Sequence, residues 1–351
     1  MAYTTIDDPS AYFQTALYSG DSSSVTVTND GNSDLQPDGL WFKKRNTTGD
    51  HKTFDTSRGL TERLFPNLAS ASDSGSNGIS ALTDGFTSGT FYGDVNGAGN
   101  TFVTWQWKCN GGTETHSQSE SGSNIACSVQ ANTTAKFSII TYTGTGGAGH
   151  TFLHGLGSTP KVILIKIRTG ATRGWIVYHH KSHATPHENF TLLNTTAAVA
   201  DLDRFDDTAP NSTEIAVSDD THVNADGNTY VAYAFDEVQG YSKFGSYEGN
   251  NSTDGTFVYT GFKPAWLMVK RVSDTQGWLI WDSKRASVNP ASAPLTANET
   301  SSEDTPDVDL LSNGFKLRTA DTSNNAASTY IYMAFAEHPF VSSEGVPTTA
   351  R

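Results

Sequence analysis

Cysteine is nearly absent from this chain. Cys109 and Cys127 are the only two among 351 residues, too few for the disulfide framework of a small secreted domain. The two could pair across a hairpin, but reduced thiols in or near the core are the better reading for a chain without an export signal. Positive charge is also short: 23 Lys and Arg stand against 37 Asp and Glu, a formal net charge of −14. An acidic surface repels phosphate, so nucleic acid is not an expected partner. No run of about 18 apolar residues exists, which excludes a membrane-spanning helix. The opening Met1-Ala2-Tyr3-Thr4-Thr5 lacks the basic and apolar parts of a signal peptide, so synthesis in a cytoplasm without export by that route is expected. Heptads and collagen-like or low-complexity stalks are missing, which argues against a long fibrous trimer. Walker A, G-x-S-x-G and H-E-x-x-H strings are missing too.

What the chain does have is aromatics in short clusters, with Thr, Ser, Asn, Asp and Gly between them. That is the composition of many short strands joined by turns, an all-β chain. The clearest cluster is Thr329-Tyr330-Ile331-Tyr332-Met333-Ala334-Phe335. It is too short for an ordinary helix and rich in β-formers, so it reads as a strand buried on both faces. It recurs as Thr229-Tyr230-Val231-Ala232-Tyr233-Ala234-Phe235 and, more weakly, as Thr101-Phe102-Val103-Thr104-Trp105-Gln106-Trp107. Each copy closes one unit of an internal repeat.

Within the last two units the order is the same. A strand (from Lys136 or Tyr241) leads to a Gly-rich turn and Pro160 or Pro264. A strand ending in Lys and Arg follows, then a Gly-Trp strand (Trp175, Trp278), a long loop and the closing strand. Glycine supplies φ > 0 and proline presets φ in such turns. A period near 100 residues is too long for a propeller blade and fits a β-sandwich of about seven to nine short strands. The expected fold is therefore two to three tandem antiparallel, jelly-roll-like β-sandwich units behind a short N-terminal arm. The expected boundaries are 1–17 for the arm, 18–134 for the first unit with a polar connector, 135–240 for the second and 241–351 for the third. The sandwiches are expected to be separate bodies. The loops 181–213 and 286–308 are expected to form their distal tips.

Chemistry-bearing residues are few. His179, His180, His183 and His187 are the densest group of metal-ligand types, but adjacent strand residues point to opposite faces. The matching places in the other units hold Trp281-Asp282-Ser283-Lys284-Arg285 and Phe54-Asp55-Thr56-Ser57-Arg58. No metal or other cofactor is therefore expected, and the four histidines stand as the only metal candidates. Acidic pairs at Asp206-Asp207, Asp219-Asp220 and Asp307/Asp309 read as solvated turn residues rather than Ca²⁺ ligands or a glycosidase pair. Trp175, Trp278 and Trp281 recur inside apolar strands and read as core rather than as sugar-stacking platforms. Lys43-Lys44-Arg45, Lys166 with Arg168, and Lys270-Arg271 read as strand ends and edges, where charge discourages edge pairing. On the arm, Tyr12 and Phe13 are the candidate assembly residues, docking onto the chain itself or onto a neighbour. No catalytic residue is assigned and no enzymatic activity is expected.

Several strings resemble a large family of virion proteins from marine bacteriophages, often labelled tail-fibre-like. They are Gly261-Phe262-Lys263-Pro264-Ala265-Trp266, Leu311-Ser312-Asn313-Gly314-Phe315-Lys316-Leu317-Arg318 and the stretch from Tyr330 to Phe340. Val238 to Tyr247 and Asp8 to Phe13 are similar too. The resemblance implies a place on the outside of a phage particle, assembled in the host cytoplasm, and a non-enzymatic role. Tail-associated host attachment is the leading expectation, head decoration the second, and a carbohydrate-binding module or glycan depolymerase the third. The implied partners are other virion proteins, further copies of the chain, and a host-surface glycan or protein.

Overall fold

The recurring strands come first, because they position everything else. The computed structural model describes residues 2–75, 78–89, 93–120 and 123–348. Met1 and 349–351, the outer ends of the first and last expected segments, lie outside the described residues. The fold is all-β, built from antiparallel sheets, and the one α-helix among the described residues is the four-residue Gly93–Asn96.

Four strands recur three times. The opening strands are Phe13–Ser19, Phe137–Thr143 and Ser242–Glu248. The second strands are Gly39–Lys44, Val162–Ile167 and Phe262–Arg271. The third are Lys52–Asp55, Ile176–His179 and Trp278–Asp282. The closing strands are Thr101–Trp107, Thr229–Phe235 and Thr329–Pro339. In every unit the spatial order is opening, closing, second, third. The pairing register makes positions equivalent: Trp41 faces Trp105, Leu164 faces Tyr233 and Met268 faces Met333. A smaller antiparallel layer covers one face of each sheet, as with Phe257–Tyr259, Gly314–Leu317 and Val308–Leu311 in the third unit.

The closing strands show how the cores are shared. In the second unit, Tyr230, Ala232 and Ala234 face a core private to that unit. Val231, Tyr233 and Phe235 face the other way, into a cluster that also holds Val103, Trp105 and Trp107, and Ile331, Met333 and Phe335. The period-two alternation of a strand thus serves two cores at once. Each large apolar side chain so buried contributes roughly 1.5–3 kcal/mol. The three large sheets therefore meet back to back around one central core, with three private cores outside it.

Four expectations need correction here. The sandwiches are not separate bodies, because the closing strands have apolar side chains on both faces and the second face is buried by the other two units. The segment 13–17 is not arm, since Phe13–Ser19 pairs with Thr101–Trp107 along its whole length. The connector belongs with the second unit, because Cys127–Asn132 pairs with Phe137–Thr143 and carries Glu114–His116 on its far side. The loops at 181–213 and 286–308 contain interior segments as well as tips: Leu193 and Ala297 are fully buried, and both belong to the central core.

Candidate functional site

Polar side chains that occupy register-equivalent positions gather at the three seams between units. Lys43, Lys166 and Lys270 stand at one such position, each paired across to Val103, Val231 or Ile331 of its closing strand. All three are fully buried. The sequence reading as edge charges fails for them: Lys166 has the same strand parity as Leu164, which faces the central core, so its stem runs inward. Each ammonium reaches a backbone carbonyl of the neighbouring unit. Lys43 Nζ donates to Thr300 O at 3.2 Å, Lys166 to Ala69 O at 2.8 Å and Lys270 to Thr196 O at 3.3 Å. Burial away from water pushes the pKa of Lys43 and Lys270 down to about 8 and that of Lys166 to about 7.

A second donor accompanies each lysine. The position at the start of the third strand, across from the lysine, holds His51, Trp175 or Trp278. Trp175 Nε1 donates to Phe65 O at 2.8 Å and Trp278 Nε1 to Leu192 O at 2.9 Å. His51 Nε2 lies 3.1 Å from Thr296 O, while its Nδ1 accepts from Trp41 Nε1. That pairing assigns the ring proton to Nε2, the role the indoles play elsewhere. Burial and the nearby Lys43 hold His51 well below the usual imidazole pKa. The accepting carbonyls 65, 192 and 296 each precede those met by the lysines (69, 196 and 300) by the same four positions. Between them Asn67, Asn194 and Asn298 each accept from the backbone N–H of His51, Trp175 or Trp278, at 2.9, 2.9 and 2.8 Å.

The third element of each seam is carried by the unit that the lysine reaches. At the end of the third strand stand Asp55, His179 and Asp282. Asp55 is fully buried, paired with Arg58 at 2.5 Å, and accepts from Tyr233 OH of the second unit at 2.6 Å. Asp282 pairs with Arg285 at 2.6 Å and accepts from Trp105 Nε1 of the first unit at 3.0 Å. The equivalent of Tyr233 and Trp105 in the third unit is Met333, which has no proton to give. There the second unit carries His179 instead of Asp, and Ser182 instead of Arg. His179 donates from Nε2 to Tyr332 O at 3.1 Å, and its Nδ1 accepts from Lys181 N–H. Burial lowers its pKa to about 3. Donor and acceptor have changed together on the two sides of the seam.

The histidine group is thereby dispersed. His180 Nε2 lies 2.7 Å from Phe244 O, whereas His183 bonds to Thr185 and Asn189, and His187 lies 4.0 Å from Glu188. Among the described residues no three His, Cys, Asp or Glu are placed to hold a metal ion. Phe13 is buried in the central core, stacked on Phe335 at 5.4 Å, and Tyr12 meets Tyr241 edge-on. Both residues dock within this chain. Cys109 and Cys127 are free and buried, and Trp175, Trp278 and Trp281 are core. Asp220 pairs with Arg204 and Asp309 with Arg318. Sequence reasoning overlooked the exposed aromatics: Phe257 and Tyr259 lie on the outer face of one strand either side of buried Val258. Their alternation with Val258 was the available signal. Among the described residues no helix is long and apolar enough to cross a membrane.

A family model described as a domain of unknown function, DUF7483, matches residues 8–339, and the chain belongs to that family. The match runs through all three units. No curated protein and no solved structure matches the chain.

Proposed function

We propose that this DUF7483 member is a structural protein on the surface of a bacteriophage particle, associated with the tail and engaged in host attachment. The observation that supports the reading best is the three-way body itself. Three units share one core, and the buried ionisable groups at Lys43, Lys166, Lys270, Asp55, His179 and Asp282 are committed to holding the units together. Such an arrangement makes a rigid support for outward loops. The exposed pair Phe257 and Tyr259 is the natural contact for a host-surface glycan, since sugar rings stack on aromatic faces. Gold-labelled antibody against the purified chain, applied to phage particles, is expected to mark the tail at a dozen copies or fewer, on the order expected of a tail component. A chain absent from washed particles would sink the proposal.

The second reading is a head decoration protein. It is favoured by the three register-equivalent seams, which pass in a cycle from unit to unit, since a three-part body of this kind would suit a threefold position on an icosahedral shell. Label spread over the whole head would select it.

A further inference from the structure

An apolar cavity of about 50 Å³ lies inside the central core, where the three units meet. It is lined from the first unit by Gly39, Trp41 and Trp107, from the second by Leu164, Tyr233 and Phe235, and from the third by Trp266, Met268 and Met333, among others. All nine of these residues are buried. Register explains why the space exists. Gly39 pairs with Trp107, Val162 with Phe235 and Trp266 with Phe335, so glycine in the first unit stands where the others carry valine and tryptophan. A Cβ on Gly39 would meet Phe137 at 3.5 Å and Trp107 at 4.0 Å, ordinary contact distances. Nothing in the backbone there demands glycine, and a methyl there would lie against the Phe137 ring that also lines the cavity.

Polar atoms at the border do not hydrate it. Thr53 Oγ1, Trp107 Nε1 and Trp266 Nε1 have no hydrogen-bond partner, and each has almost no accessible surface. A water needs two to four polar partners, whereas cavities with apolar walls stay dry and take up apolar guests. A cavity of roughly 150 Å³ holds benzene or xenon; one a third of that size selects the smaller guest. We propose that the central core is a binding site for a compact apolar molecule of xenon size, and that Gly39 creates it. A guest there touches all three units at once and so favours the assembled core over any state in which a unit has swung away.

The chain offers its own reporters. It contains three methionines, Met1, Met268 and Met333, and two of them line the cavity. Methyl-¹³C methionine spectra of the full chain, recorded under rising xenon pressure, are expected to show saturable shifts of the Met268 and Met333 methyls. Gly39→Val, which places the second unit's residue in the gap, is expected to weaken xenon binding at least about tenfold while leaving a folded spectrum. Should that variant fold poorly, Gly39→Ala serves, with weaker binding expected in the same direction. Shifts that rise linearly without saturating, or saturation unchanged in the glycine variant that folds, would overturn the assignment.

Discussion

At the scale of single residues, two glycines make opposite demands. Gly144 lies where a Cβ would sit 2.3 Å from Ala225 O, and its equivalents Gly20 and Gly249 face carbonyl oxygens at 2.5 and 2.0 Å. Backbone cannot yield as a flexible side chain can, so Gly144→Ala must separate the loop from the strand. Gly39 has room and lies in a strand, where glycine loses more freedom on folding than alanine. Urea titration is expected to place Gly39→Ala about 0.4–1 kcal/mol above the parent chain and Gly144→Ala below it. Two destabilised variants would contradict the account of Gly39.

At the scale of elements, the seams are built from the ends of strands, and a partner change on one side requires a change on the other. His179→Asp would place a buried carboxylate against Tyr332 O, an acceptor with no proton, and would leave it without a cation. An unpaired buried charge costs roughly 3–5 kcal/mol. Adding Ser182→Arg supplies the cation that Arg58 and Arg285 supply in the other units. The double variant is expected to recover part of the loss in a double-mutant cycle on urea midpoints. No coupling between the two substitutions would show that the equivalence of the seams is formal only. The recurrence of these residue types was legible in the chain: Lys166 and Lys270, and the match of His179 with Asp55 and Asp282, align by counting. Their burial was not legible. A lysine near the end of an apolar strand reads as a solvated tip until the neighbouring unit is seen to cover it.

At the scale of the whole molecule, the shared core makes the three units one cooperative body. Calorimetry is expected to give a single transition with matching calorimetric and van't Hoff enthalpies; three resolved transitions would restore the picture of separate sandwiches. The buried lysines also set a pH dependence. Unfolded lysine has a pKa of about 10.4, whereas burial lowers that of folded Lys43 and Lys270 to about 8 and that of Lys166 to about 7. Between those values the unfolded chain holds more protons, so stability rises with pH. This contribution is complete above the unfolded pKa and is lost as pH falls through about 8 and then 7. Buried tyrosines such as Tyr142 and Tyr247 are held protonated, so stability turns down once unfolded tyrosine ionises, near about pH 10. The urea midpoint is expected to be higher at pH 9 than at pH 7, with a smaller rise in Lys166→Met.

Composition and period alone determined the strands. β-branched and aromatic residues in short runs, with glycine and proline between them, leave few other local structures, and the three Thr-led closing segments stand where the repeat puts them. A double-sided apolar strand also announced that both faces would be covered. Only the tertiary structure decided by what. Alternation specifies two buried faces but carries no label for the second partner, and that partner proved to be the other two units. The fates of the lysines, Asp55, His179, Asp282 and the cavity beside Gly39 follow from that one packing choice, because each depends on atoms on the order of a hundred residues away in the chain.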